Sequence, residues 1–449
     1  MPTETTPITP IRRLTSPFVR FARIEAAGAI VLLTGTVLAL VWANSPWHDA
    51  YHHLLETEFS VGFGKWVVTE NRHHWINDGL MSLFFFLVGL EIKRELLVGE
   101  LSSFRRAILP LIAALGGMIF PAFVYMAASR GTGVERGWAV PISTDVAFAL
   151  GLLAVLGSRI PLSLKVFVTA LAIVDDIFSV LIIAIFYTQQ INYRSLLIGL
   201  GCIVLSALAN VLGIRRTFVY AVLGVCAWVD VLNSGVHATV AGILLAFTIP
   251  ARTLLNKSEF LQEGRSLLSD LEGSATHSFE EHSIIYTLEE RIGLLQSPAH
   301  RIEHQLQPFI SFLVIPLFAF ANAGVNFMGN AGAALKHPVT LGVMLGLVVG
   351  KPVGIFLFTY LAVKIGVASP LPNATWMHVG GAGCLCGIGF TMSLFVATLA
   401  FGEGQHLEVS KIAILIASLL SGILATVLLT RKAAAAREDE AGAAPSLAG

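Results

Sequence analysis

Residues 163–187 read SLKVFVTALAIVDDIFSVLIIAIFY, with two adjacent aspartates, Asp175 and Asp176, in the middle of an otherwise apolar run. Apolar runs beyond about 18 residues belong in a bilayer, where an α-helix satisfies every backbone group that lipid cannot. The aspartates lie about 12 residues from either end, or roughly 18 Å of helix rise, which puts them at the membrane midplane. A single carboxylate there costs roughly 2.5–3.5 kcal/mol on insertion scales. The stretch is therefore a membrane-spanning helix that carries two acids at the most expensive depth.

Working outward, the same kind of run recurs near 24–44, 77–97, 107–128, 137–157, 195–213, 217–232, 236–250, 308–327, 339–363, 378–400 and 409–430. That makes an all-α membrane protein of about twelve transmembrane helices, with 217–232 and 236–250 the short ones. A chain of 449 residues with 55% hydrophobic and 13% charged residues is far from soluble composition. With the N-terminus inside and strict alternation, most of the 29 Lys and Arg residues fall in the inner segments. By the positive-inside rule both termini face the cytoplasm. The balance of 29 basic against 29 acidic residues gives no footprint for nucleic acid. The four cysteines fall in apolar segments and read as small core residues. No cleavable signal peptide is expected, because the run 24–44 is too long for one.

Residues 1–23 are read as a cytoplasmic N-terminal segment, 24–432 as the transmembrane domain and 433–449 as a disordered cytoplasmic tail. Within the domain, the outer stretch of about 56–69 alternates around Gly62 and Gly64 and predicts a β-hairpin outside the membrane. The inner stretch of about 251–307 is long, acidic and partly helical in pattern, the mark of a solvated linker.

Adjacent helical residues point about 100° apart, so one aspartate can face an aqueous funnel and the other a neighbouring helix. Two close acids in low dielectric cannot both ionise cheaply, so a monovalent cation that binds them must displace protons. The competing structural reading, a pair neutralised by hydrogen bonds within the bundle, explains one polar residue better than two. Lys351 lies mid-span and must either lose its proton or find a carboxylate or helix C-terminal carbonyls. Snorkelling would need a place near a helix end. The span at 137–157 is interrupted at mid-depth by Pro141, followed by Thr144 and Asp145. The span at 378–400 has a matching weakness at Gly387-Ile-Gly389, where glycine for close helix packing is the alternative. The third to fifth and tenth to twelfth spans thus each have a break in the middle member and opposite topology, as an inverted repeat requires.

The motifs Ile76-Asn-Asp78, Gly89-Leu-Glu91-Ile-Lys-Arg94-Glu95, Ser143-Thr-Asp145, Val174-Asp-Asp176, Ser234-Gly-Val-His237, Pro316-Leu-Phe-Ala-Phe-Ala-Asn322, Gly350-Lys-Pro352 and Cys386-Gly-Ile-Gly-Phe-Thr-Met-Ser393 occur in this order. Together, over about residues 15–432, the chain resembles the NhaA family of sodium/proton antiporters. The resemblance implies that Asp175 and Asp176 carry the cation and the protons. It implies that Asp145 and Lys351 offset the dipole ends of two crossed, interrupted helices, with Thr144 beside the site. It implies a pH-responsive cytoplasmic cluster at Glu91, Arg94, Glu95, Glu303 and His304, and a homodimer joined through the outer hairpin. Sodium or lithium and protons are then cargo, no cofactor is needed, and the surroundings are the lipid of a bacterial inner membrane. The sequence departs from the family pattern at Gln307, where a second histidine often stands, and in the long 251–300 loop.

Two other classes fit less well. An intramembrane aspartyl protease places its acids on different helices, one in a Gly-x-Gly-Asp pattern that does not occur here. A cation channel needs a repeated or subunit-lined filter, and none is visible.

Overall fold

The computed structural model describes residues 10–63, 66–188, 191–251, 257–273, 282–288, 291, 297–326 and 335–442. In chain order its principal helices are α1 (Pro10–Ala43), α2 (His48–Glu56), α3 (Arg72–Val98), α4 (Phe104–Ser129), α5 (Val146–Leu156), α6 (Leu162–Phe186), α7 (Tyr193–Val211), α8 (Thr217–Leu232), α9 (Ala238–Thr248), α10 (Lys257–Gly273), α11 (Pro298–Ala323), α12 (Pro338–Lys364), α13 (Trp376–Cys386), α14 (Phe390–Phe401) and α15 (Gln405–Gly442). A 3₁₀ segment, Glu135–Ile142, leads into α5. Among the described residues nine helical segments are long and apolar enough to cross a membrane. A tenth candidate is the pair α13 and α14, bent by 46° at a short break. The apolar helices α8 and α9 are shorter than that length. The chain is a multi-pass, predominantly helical membrane protein.

Contacts divide the chain into two units. The first comprises Met1–Phe84, Glu95–Gln189 and Pro308–Gly449. Here α4 and α12 cross where Gly116 meets Gly354: a side chain on Gly354 would collide with the Gly116 carbonyl. Small residues let the two backbones touch, which is how helices associate where no hydrophobic force drives them together. In the middle of α12, Gly346–Gly350 form a π turn directly before Lys351 and Pro352. Pro352 has no amide to donate, and a wide turn is one way a helix absorbs that loss. The outer hairpin forms as β1 (Glu58–Phe63) and β2 (Trp66–Asn71), antiparallel, with Glu58 opposite Asn71 and Phe63 opposite Trp66. The Trp75 indole N–H donates to the Phe59 carbonyl at 2.7 Å and ties the ribbon to the start of α3.

The second unit comprises Phe85–Arg94 and Gln190–Gln307. Gly89 lets α3 approach α9 closely, against Ala246 and Ile243. Lys93 then donates to the carbonyls of Phe247 and Ile249 and so caps the C-terminus of α9. Leu90, Ala209, Tyr220, Ala246, Ile249 and Ile302 form a core around this contact. Within the expected linker 251–307, α10 is helical with Leu261 and Leu268 exposed. Residues 252–256, 274–281, 289–290 and 292–296 of that linker lie outside the described residues. At the chain ends, α1 already begins at Pro10 and α15 continues to Gly442. Residues 1–9 of the expected N-terminal segment and 443–449 of the expected tail lie outside the described residues.

Candidate functional site

Helix α6 runs unbroken from Leu162 to Phe186 and buries Asp175 and Asp176 at 0% and 4% exposure. Lys351 is equally buried, on α12. Its ammonium donates to Asp175 Oδ2 at 2.7 Å and also to the main-chain carbonyl of Ile142. It therefore has both kinds of partner open to a lysine in hydrocarbon, a carboxylate and a helix-terminal carbonyl, since Ile142 is the last residue of the 3₁₀ segment. The other carboxylate oxygen of Asp175, Oδ1, has no hydrogen-bond partner among the described residues.

The interruption expected at Pro141 is a 3₁₀ segment that ends at Ile142, three residues outside any helix, Ser143 to Asp145, and then α5. Asp145 is the N-cap of α5, and its Oδ1 accepts from the Phe148 amide at 2.9 Å. Its Oδ2 accepts from both the amide and the hydroxyl of Thr391, at 3.0 and 2.6 Å, in the first turn of α14. One carboxylate thus sits at the positive ends of two helices, where a negative charge is most favoured. The backbone joins the two breaks as well: the Asp145 amide donates to the Ile388 carbonyl at 2.7 Å. The Thr144 hydroxyl donates to the Cys386 carbonyl at 2.9 Å, at the C-terminus of α13. Ser393 donates to the Val140 carbonyl at 2.8 Å. Broken helices persist in a bilayer only when buried groups replace the lost hydrogen bonds, and these contacts replace them reciprocally.

The five residues Asp175, Asp176, Lys351, Asp145 and Thr144 are all buried in the first unit, and direct bonds link Lys351 to Asp175 and, through Ile142, to the first break. The role of Thr391 was not foreseen from sequence. Its signal is available there: it is the first hydroxyl after Gly387-Ile-Gly389, as Thr144 is the first threonine after Pro141. Asn77 and Asn322, each in a quoted motif, pair their buried side-chain amides at 2.8 Å between α3 and α11.

The residues of the cytoplasmic cluster are less uniform. In the second unit Arg94 forms an ion pair with Glu303, which is 5% exposed. His300 stands beside Glu303, with Nδ1 3.9 Å from Oε2, whereas His304 is exposed. Glu91 lies on the same helix, one turn before Arg94 and Glu95. In the first unit Glu95 accepts from the Glu100 amide at 3.0 Å.

A multi-pass helical protein with an acid pair and a lysine buried where broken segments meet has the make-up of an ion transporter, not of an enzyme. A family model described as Na+/H+ antiporter 1 matches residues 19–429, and the chain belongs to that family. It is 57% identical over 425 residues to a protein of Koribacter versatilis named Na(+)/H(+) antiporter NhaA, covering 95% of this chain and 93% of that one. Proteins of the same name from Oleidesulfovibrio alaskensis and Helicobacter pylori are 45% and 44% identical, over 92% and 91% of this chain and 93% and 94% of theirs.

Proposed function

We propose that this chain exchanges sodium or lithium ions for protons across the bacterial inner membrane, with cation and protons sharing Asp175 and Asp176. The observation that carries the reading is the Lys351–Asp175 ion pair next to Asp176, buried in the first unit. Three ionisable groups share this place, and a cation entering it must displace positive charge, either protons from the acids or the ammonium from Asp175. Competition of that kind couples the cation to protons without any cofactor.

The wider architecture follows the same reading. Counting α8 and α9 as short spans brings the ten span candidates to about twelve, and an even number returns both termini to the cytoplasm. The triplets α4 to α6 and α12 to α15, each with its interruption in the middle, make an inverted repeat in which the two interrupted helices cross. Asp145 and Lys351 then balance the facing dipole ends, with Thr144 beside them. If both acids are protonated in one state and one cation replaces the protons in the other, more protons than cations move per cycle and exchange is electrogenic. Glu91, Arg94, Glu95, Glu303 and His304 form the pH-responsive region, and the outer hairpin joins two copies into a homodimer in the lipid.

Proteoliposomes holding the purified protein and a trapped pH dye test this directly. External sodium or lithium should drive proton movement, potassium should not, and an imposed membrane potential should change the rate. A dye signal indifferent to all three cations would contradict the reading.

A further inference from the structure

Two buried serines, Ser143 and Ser179, lie beside the aspartates. Ser143 lies in the first interruption, between Ile142, whose carbonyl Lys351 holds, and Thr144. Ser179 lies on α6, four residues after Asp175 and three after Asp176, hence on the same helix face as the pair. Their side-chain oxygens are 3.4 Å apart, and the residues are 1% and 2% exposed. Among the described residues each hydroxyl has only the other as a hydrogen-bond partner. Buried hydroxyls on the spanning helices ordinarily turn back to the carbonyl four residues earlier, as Thr36 and Thr359 do. Ser179 does not, although that carbonyl belongs to Asp175.

From this geometry we propose that Ser143 and Ser179 are neutral oxygen ligands that complete the shell of the transported cation and set its sodium-to-lithium preference. The assignment rests on the exchange reading above. A hard monovalent cation leaving water needs several oxygens around it, and ligand number and cavity size decide which cation fits. Asp175 Oδ2 is engaged by Lys351, so the two carboxylates alone leave few. In the bond between two facing hydroxyls one O–H donates and one lone pair accepts, so lone pairs on both oxygens stay free for a cation. At 3.4 Å the two oxygens are farther apart than in an ordinary hydroxyl hydrogen bond of about 2.5–3.0 Å, so an arriving ion separates them at little cost. Because they carry no charge, they add ligands without changing the number of protons exchanged.

The test compares wild type, Ser143→Ala, Ser179→Ala and the double variant in proteoliposomes, with sodium and with lithium. The apparent KM for sodium is expected to rise about three- to tenfold in each single variant, with a smaller change in maximal rate. The KM ratio of lithium to sodium should shift, and the double variant should fall short of the product of the singles, because both lose the same ion. The upward shift of the unfolding temperature caused by sodium should shrink. Should an alanine variant fail to fold, Ser143→Cys or Ser179→Cys keeps the size, replaces a hard oxygen by soft sulfur and carries the same expectation. Unchanged KM values for both ions, with only the sodium-free unfolding temperature lowered, would overturn the assignment and leave the pair a tie between two elements. A wild-type protein that exchanges no sodium would overturn the underlying reading, and the serine assignment with it.

Discussion

The Lys351 ammonium meets the Asp175 carboxylate at 2.7 Å, with both residues at 0% exposure. Removing one member of such a pair leaves a charge in low dielectric without compensation, at a cost of about 3–5 kcal/mol. Lys351→Ala should therefore lower the unfolding temperature of the detergent-solubilised protein markedly. Lys351→Arg keeps the charge and should lie between alanine and wild type. Equal unfolding temperatures in all three would remove the ion pair from the account.

Asp145 and Thr391 join the N-termini of α5 and α14 through one carboxylate. Asp145→Asn keeps the shape but loses the charge that faces two helix ends, and each cap is worth about 1 kcal/mol. Thr391→Val removes the hydroxyl bond from the other side. In a double-mutant cycle the two should couple by about 1 kcal/mol or more, since they share that bond. Additive losses of stability would mean that the two breaks are held together elsewhere.

How much of this was legible in the sequence differs between parts of the molecule. Nine long apolar helices among the described residues, and the burial of Asp175, Asp176 and Lys351 within two of them, are foreshadowed by run length, because a bilayer sets the hydrophobic length a span needs. The break at Pro141 was visible because proline lacks a donor. What joins the two breaks was not: the bonds of Thr391 to Asp145 and of Thr144 to Cys386 link residues more than 240 positions apart, and periodicity carries no information at that range. His300 is a different case, since its i,i+3 spacing from Glu303 on one helix is legible in the sequence.

The Arg94–Glu303 pair joins two segments of the second unit at the cytoplasmic boundary of the proposed topology. If this region regulates exchange, Glu303→Gln should move the pH at which exchange switches on and leave the maximal rate nearly intact. His304→Ala and Gln307→His should shift it too. His300 is the added control, because it is the histidine within 3.9 Å of Glu303. A pH profile that stays put in all these variants would assign the pH dependence to proton competition at Asp175 and Asp176.

Among the described residues the hairpin formed by β1 and β2 is a two-stranded sheet with no third strand on either edge. Such ribbons are marginal alone, and free strand edges recruit one another. Deleting residues 57–68 should give a protein that runs as a monomer in mild detergent and still transports after reconstitution. A deletion variant that remains a dimer would place the subunit contact elsewhere.

In the proposed exchange, cation and protons compete at the buried aspartate pair. The most direct measurement is sodium-driven proton movement in dye-loaded proteoliposomes carrying Asp176→Asn, beside wild type reconstituted at equal density. Asparagine preserves the shape of the side chain and removes the titratable charge, so the account predicts that the sodium-driven signal is abolished or severely reduced while the variant unfolds near the wild-type temperature. A folded Asp176→Asn protein that exchanges sodium for protons at the wild-type rate would contradict it.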